Sequence, residues 1–131
     1  MTKQMIVMRK DLNMRKGKMV AQGAHASVAV LLNAGEFGGD GPVDFTLHFE
    51  TEDDPLYCWI RGLFTKICVS VDSEEELMEV YGKAKEAGLL CTLITDCGLT
   101  EFNGVPTKTC CAIGPATDEQ LQPITGHLKL L

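Results

Sequence analysis

The chain has 131 residues, of which 45% are hydrophobic and 23% charged, the balance of an ordinary folded protein. This length predicts a single domain over residues 1–131. The longest apolar run is far below the about 18 residues that cross a bilayer, and no signal peptide precedes the first predicted strand. We therefore expect a cytoplasmic protein with no membrane partner.

The charge is unevenly distributed along the chain. The net charge of −6 argues at first against a nucleic-acid partner. However, residues 1–18 hold six of the twelve basic residues and one of the eighteen acidic ones, a balance of +5 against −11 for the rest. A basic patch on an acidic protein is compatible with local contact to nucleic acid.

The first predicted elements are a strand and a long helix. The apolar run at residues 5–8 fits one buried strand, and a helical pattern begins at about Lys16. Lys18, Gln22 and His25 follow helical spacing on one side of this helix. A different side carries an apolar stripe of Val20, Ala24, Val28 and Leu31. Small residues in the same segment allow the helix to lie close to a sheet.

Cations crowd the beginning of this helix. Arg15, Lys16 and Lys18 lie where the helix dipole is positive and cations are disfavoured. Their placement makes sense if an anion sits among them, held in part by the free N–H groups of the first turn. The alternative is that these side chains simply point into water.

The middle of the chain predicts a loop, an uncertain strand and a short helix. Residues 35–42 are glycine-rich but lack the order and the lysine of a phosphate-binding loop. Residues 44–49 fit either a short strand or an extended surface segment. Asp54 and Pro55 are typical of a helix start, and we expect this helix to end near Gly62.

A strand, a helix and a strand follow. Residues 65–71 and 89–95 are apolar strand patterns, and the second is apolar enough to be central in a sheet. Between them, Ser73 and Glu76 have the spacing of a capping box, and Gly88 ends the helix.

The last part of the chain predicts a returning strand and a short helix. Residues 108–113 form a strand that ends before Gly114-Pro115, and we expect it to be antiparallel, at or near an edge. A helix opens at Thr117 and stops at Pro123. Residues 127–131 are expected to be tied down, because their leucines need cover. Alternating strands and helices predict an α/β fold with a parallel core.

The six cysteines do not suggest a metal site. No Cys-x-x-Cys pair occurs, and no histidine completes a zinc-binding spacing. Cys68, Cys91, Cys110 and Cys111 lie in apolar runs and fit as small core residues. Cys97 lies beside the polar residues described next, but nothing near it in sequence would activate its thiol.

Polar side chains follow two of the predicted strands at their carboxyl ends, where ligands bind in open parallel sheets. One place is the turn into the helix of Lys18, and the other is Asp96. Thr100 follows Asp96, and Thr109 begins the returning strand. These groups can meet in one cleft with Gln22 and His25 of the same helix. The alternative is that Asp96 and Thr100 form a side-chain-capped turn.

Three motifs carry a resemblance. They are Arg9-x-Asp11-Leu12-x-Met14-x-x-Gly17-Lys18-x-x-x-Gln22-x-x-His25-Ala26, Thr95-Asp96-Cys97-Gly98-x-Thr100, and Thr109 before Ala112-Ile113-Gly114-Pro115. Together they resemble the type II peptidyl-tRNA hydrolase family, and the resemblance runs almost from end to end of the chain.

This resemblance implies a three-layer α/β/α fold with a four-stranded mixed sheet whose last strand is antiparallel, often in a homodimer. It also implies hydrolysis of the ester that joins a peptide to the terminal ribose of tRNA, without a metal or cofactor. The catalytic positions of the family correspond to Lys18, Asp96, Thr100 and Thr109. Gln22 and His25 match motif positions and are expected to bind substrate, and Arg15 and Lys16 are expected to meet tRNA phosphates.

The chain departs from the family pattern beside the cleft. Leu99 stands where we expect arginine, Glu101 replaces a neutral glutamine, and the loop before Thr109 is one residue longer. Residues 35–54 are also unusually acidic. These departures leave open an enzyme acting on another ester or amide, a small-molecule esterase, and a non-catalytic α/β module that binds a nucleotide or a protein partner.

The chemistry expected of such a site is attack of water on an ester carbonyl. Asp96 would orient or deprotonate the water, provided that a neighbour raises its basicity. Lys18 would stabilise charge on the carbonyl oxygen or hold a phosphate. Thr100 and Thr109 would position water or substrate, and no base is visibly paired with a nucleophilic side chain.

Overall fold

The computed structural model describes residues 1–131 and contains six strands and four helices. In chain order these are β1 (Thr2–Arg9), α1 (Lys16–Ala34), β2 (Glu36–Gly38), β3 (Asp44–Thr46), α2 (Pro55–Arg61), β4 (Lys66–Val71), α3 (Glu74–Glu86), β5 (Cys91–Asp96), β6 (Thr107–Thr117) and α4 (Asp118–Thr125).

Four strands form the main sheet, in the order β4-β1-β6-β5. β1 and β4 are parallel, whereas β6 runs antiparallel to both of its neighbours. One face of the sheet packs against α1, with Met8, Ala26 and Cys110 in the shared core. The other face packs against α3 and α4 around Val7, Leu77 and Leu121. The predicted α/β class, the mixed sheet and the antiparallel last strand are confirmed.

The positions of the last two strands in the sheet differ from the prediction. β5 is the edge strand, and the returning strand β6 lies inside the sheet, between β1 and β5. β6 is the longest strand at 11 residues, and its stretch from Thr109 to Ala116 is buried throughout. The residues in this stretch are mostly small, so the sequence pattern did not indicate a central strand. A strand buried on both faces belongs in the interior of a sheet.

Neither proline in the last part of the chain ends its element as predicted. β6 continues past Pro115 because the β1–β6 pairing is already irregular between Lys3 and Met5, so no ladder hydrogen bond is lost there. Pro123 lies inside α4. A complete capping box between Thr117 and Gln120 stabilises the start of this helix.

The apolar stripe of α1 is largely exposed. Val20 is 73% exposed and Val28 52%. The buried face consists instead of small or polar residues and one valine: Gln22, Gly23, Ala26, Ser27 and Val30. A Cβ on Gly23 would lie 3.7 Å from the Ile6 side chain, which shows how closely the helix approaches the sheet. The predicted close approach is confirmed, but through the polar side of the helix.

The remaining predictions fit with small changes. β2 and β3 form a hairpin where we expected a loop and an uncertain strand. Asp54 caps α2, Gly62 ends it, and Ser73 accepts a hydrogen bond from the Glu76 N–H at the start of α3. The Glu76 carboxylate accepts from the Asp72 N–H, so that capping box is incomplete.

The C-terminal tail is tied down, as expected, and lies along the open edge of β4, but Leu130 and Leu131 stay exposed rather than covered. The Ser70 N–H donates to the Lys129 carbonyl, and the Leu131 N–H donates to the Cys68 carbonyl. Covering an edge strand in this way protects it from pairing with other chains. None of the helices has the length and apolar character needed to cross a membrane.

Candidate active site

One hydrogen-bonded cluster joins α1 to the end of β5. The Lys18 ammonium donates to Asp96 Oδ1 at 3.0 Å and to Thr100 Oγ1 at 2.7 Å. The Gln22 amide donates to the same Oδ1 at 3.3 Å, and the Gly98 N–H donates to Asp96 Oδ2 at 2.9 Å. The Lys18 and Asp96 side chains are 14% and 11% exposed, so the ion pair is partly shielded but open to a ligand.

The surroundings of Asp96 keep it charged. The hydrogen bond from Lys18 lowers the pKa of the Asp96 carboxyl, and the Gly98 N–H, the positive charge of Lys18 and the Gln22 amide act in the same direction against burial, which raises it. Asp96 is therefore a carboxylate at neutral pH. We expected a neighbour to raise its basicity if it served as a general base, and the neighbours have the opposite effect.

A tight loop after β5 presents Asp96 and Thr100 to α1. Gly98 has a φ of 82°, and a Cβ there would clash with the Val105 carbonyl oxygen. Only glycine fits this left-handed, crowded position. The Gly104 N–H donates to the Gly98 carbonyl and closes the loop. The side-chain-capped turn that we considered for Asp96 is thus present, but its carboxylate also reaches Lys18.

Thr109 contacts the cluster from the interior of the protein. Its side chain is fully buried, and its hydroxyl donates to Gln22 Oε1 at 2.6 Å. The Cys110 thiol donates to the Gln22 backbone carbonyl at 3.4 Å. Thr109 therefore contacts the amide of Gln22 rather than the open side of the cleft.

The expected substrate-binding residues are placed differently from one another. Arg15 is 91% exposed, and its guanidinium lies 3.8 Å from the Glu101 carboxylate. Lys16 is exposed and forms no ion pair. His25 is exposed further along α1, with no hydrogen bond to the cluster. The structure thus brings Gln22 to the catalytic candidates and leaves His25 apart.

A polar cleft adjoins Thr100. It has a volume of about 450 Å³ and lies between the start of α1 and the loop after β5, lined by Leu12, Asn13, Arg15, Thr100, Glu101 and Phe102. The Lys18 ammonium lies 5.7 Å from the centre of the Phe102 ring. α1 has no side-chain cap and no acidic residue in its first turn, so its free N–H groups face this end of the molecule.

Arg9 is a residue near the site whose contacts we did not predict. Its guanidinium donates to both carboxylate oxygens of Asp11, at 3.1 and 2.7 Å, and to the Lys108 carbonyl at 3.0 Å. It thereby ties the turn before α1 to the strand that carries Thr109. The Arg9-x-Asp11 spacing was visible in the first motif, but spacing alone does not identify a partner on β6.

The cysteines do not extend the site. Cys110 and Cys111 are fully buried, and desolvation raises the pKa of Cys110 to about 12. Cys97 is exposed and makes no hydrogen bond with the cluster. No group of three histidine, cysteine, aspartate or glutamate side chains lies in position to hold a metal ion.

The chain is similar to known proteins along its whole length. The family model described as peptidyl-tRNA hydrolase PTH2 matches residues 2–131. Proteins named peptidyl-tRNA hydrolase from Methanocaldococcus jannaschii and Methanothermobacter thermautotrophicus are 43% and 41% identical to the chain, each over 98% of it and 99% of the relative. One from Methanopyrus kandleri is 38% identical over 100% of the chain and 99% of the relative. The chain therefore belongs to the peptidyl-tRNA hydrolase PTH2 family.

Proposed function

We propose that this protein hydrolyses the ester bond of peptidyl-tRNA and releases the peptide and free tRNA. The observation that supports this best is the shared contact of Lys18 with Asp96 and Thr100, at the mouth of a cleft and within a chain that matches the family throughout. Translation generates such esters, so we place the activity in the cytoplasm, which cell fractionation can check. The direct test is the release of an N-blocked amino acid from tRNA above the spontaneous background.

The hydrogen bonds of Asp96 support a specific place for the attacking water. Oδ1 already accepts from Lys18 and Gln22, whereas Oδ2 accepts only from the Gly98 N–H. A carboxylate oxygen has about two acceptor sites, so Oδ2 retains one for water. Because its pKa is lowered, we assign Asp96 to orienting the water rather than to storing its proton.

Lys18 and Thr100 then act on the ester. As the water oxygen bonds to the carbonyl carbon, negative charge develops on the carbonyl oxygen, and the Lys18 ammonium is positioned to stabilise it. The Thr100 hydroxyl, which accepts a hydrogen bond from Lys18, keeps its own proton free for substrate. The C–O bond to the ribose breaks, and the proton given up by the attacking water goes to the ribose oxygen, so that the products are the peptide carboxylic acid and a free ribose hydroxyl.

The basic start of α1 is the proposed contact for the acceptor end of tRNA. Lys16 has no acidic partner, whereas Arg15 is close to Glu101 and Lys18 is bonded to Asp96. Lys16 is thus the cation most available to a phosphate, and Glu101 competes with tRNA for Arg15.

We expect the affinity for tRNA to fall as salt increases, because each neutralised phosphate releases counterions with a slope of about −0.7 to −0.9. Lys16→Ala should reduce the slope by about one unit for any tRNA sequence. Titration of uncharged tRNA at several salt concentrations measures this, with Lys85→Ala as control, because Lys85 is exposed on α3 at the opposite face of the sheet. An affinity of the parent protein that does not depend on salt would exclude this patch as a tRNA site.

We also propose that a second copy of the chain covers the exposed face of α1. Two apolar depressions of about 410 and 370 Å³ lie along this helix and share Ala24. A two-fold axis near Ala24 would bring identical faces together, and a small residue at the crossing allows close approach. Val28 lies within this face, where burial between copies removes apolar surface from water.

Val28→Asp should therefore convert a dimer into a monomer in sedimentation equilibrium. Val43→Asp is the matched control, because Val43 is also exposed but lies outside this face. A parent protein that stays monomeric at high concentration, or a dimer that Val28→Asp leaves intact, would contradict this interface.

A further inference from the structure

The side chain of Gln22 is buried, and both ends of its amide have protein partners. Its Nε2 donates to Asp96 Oδ1 at 3.3 Å, and its Oε1 accepts from the Thr109 hydroxyl at 2.6 Å. Gln22 is one of the few buried polar residues of the chain, on the side of α1 that faces the sheet. Because Gln22 is only 6% exposed, the hydrogen-bonding sites that remain on its amide have little access to a ligand.

A β-bulge aims Thr109 at this amide. The pairing of β5 with β6 shifts between Ile94, which pairs with Cys110, and Thr95, which pairs with Lys108, so Thr109 is the extra residue. Successive side chains of a regular strand point to opposite faces. Here the side chains of Thr109 and Cys110 both contact Gln22 on α1. A bulge re-aims a side chain in this way, and bulges are frequent beside active sites.

The contacts also fix which end of the amide faces Asp96. A carboxylate accepts hydrogen bonds, so it requires the NH₂ end of Gln22, and the carbonyl end must then face Thr109. The Thr109 hydroxyl can donate there, which holds the amide in the orientation that Asp96 needs. The order of contacts is thus Thr109 to Gln22 to Asp96.

We propose that Gln22 and Thr109 are positioning residues that hold the Asp96 carboxylate with Oδ2 toward the water, and that neither binds substrate. This inference rests on the proposed hydrolysis of peptidyl-tRNA. It assigns to Gln22 an effect on turnover rather than on affinity. It also gives Thr109 a part in catalysis that its complete burial would otherwise exclude.

Gln22→Met removes both hydrogen bonds with little change in volume. We expect kcat to fall about tenfold to a hundredfold, which is the usual cost when a residue that orients a metal-binding side chain is lost. KM should stay within about twofold of the parent value. Gln4→Met is the matched control, because Gln4 is a buried amide hydrogen-bonded to Ser27 of the same helix, away from Asp96. A role in folding alone predicts equal kcat in both variants at temperatures where both are folded.

The pH dependence of turnover in Gln22→Glu distinguishes the positioning role from a purely structural one. At low pH the protonated carboxyl can donate to Asp96 as the amide does, and it loses this ability as it ionises. Burial and the Asp96 charge raise its pKa above the ordinary value of about 4.3, whereas Lys18 opposes this. Cys110 stays a thiol, because its pKa is about 12. We expect turnover to fall as pH rises from 5 to 8 in this variant but not in the parent.

Thr109→Val should lower kcat as Gln22→Met does, and Thr109→Ser should restore it. Titration of the Asp96 carboxyl by NMR tests the same contact without turnover: its pKa should rise in Gln22→Met and stay unchanged in Gln4→Met. A parent without hydrolytic activity would overturn the proposed function while this titration still tests the contact. A raised KM with normal kcat in Gln22→Met, or an unshifted Asp96 pKa, would overturn the positioning role.

Discussion

Asp96→Asn is expected to lower turnover by about 10²–10⁴-fold, the usual contribution of a residue that orients or activates a reacting group. An amide cannot replace this carboxylate, because Lys18 and Gln22 donate to one oxygen and the Gly98 N–H to the other. An NH₂ group on either side would face a donor. Single-turnover release of peptide from tRNA measures the chemical step directly.

Asp72→Asn is the control for this variant. Asp72 also forms an ion pair with a lysine, at 3.5 Å from Lys10, but lies outside the cluster. Thermal unfolding of both variants shows whether they remain folded at the assay temperature. Near-normal turnover of folded Asp96→Asn would leave Asp96 with a turn-capping role only.

Lys18→Met should lower turnover by about 10²–10³-fold, the cost of removing one donor from a developing oxyanion. It should also change the dependence of stability on pH. Because the Asp96 pKa is lowered in the folded parent, Asp96 contributes stability that is present above its ordinary pKa of about 3.9 and is lost as pH falls through the lowered value. Lys18→Met removes the main cause of this lowering, so less stability should be lost between pH 5 and 2.

Lys83→Met is the matched control, since Lys83 also forms an ion pair, at 3.3 Å from Glu79, but lies on α3 outside the cluster. Chemical denaturation at a series of pH values measures the stability of each variant, and peptide release measures turnover. If Lys18→Met keeps normal turnover but loses affinity for tRNA and one unit of salt dependence, Lys18 holds a phosphate instead.

Much of the fold could be predicted from local patterns, and the errors have physical causes. Apolar runs and helix caps gave the elements nearly their observed bounds. The buried face of α1 could not be predicted from hydropathy, because it contains Gln22 and Ser27 while valines stay exposed. The position of β6 was missed because its buried stretch is made of small residues, and hydropathy alone does not show which strand lies in the middle.

The contact between Lys18 and Asp96 was predictable from unusual local features of the sequence. Lysines at the positive end of a helix dipole, and a carboxylate at the end of a strand, indicated Lys18 and Asp96 from the amino-acid sequence alone. The contact between Thr109 and Gln22 could not be predicted in the same way. It depends on a bulge in the pairing of two strands, and a single sequence does not reveal the register of such a pair.

The central claim is tested most directly by comparing tRNA charged with an N-blocked amino acid and tRNA charged with the same amino acid with a free amine. The protein should release the N-blocked form faster, because that form resembles peptidyl-tRNA, and chelators should not change the rate. Asp96→Asn under the same conditions is the control for contaminating activity. Release no faster than the spontaneous background, or release from simple esters independent of tRNA, would contradict the account.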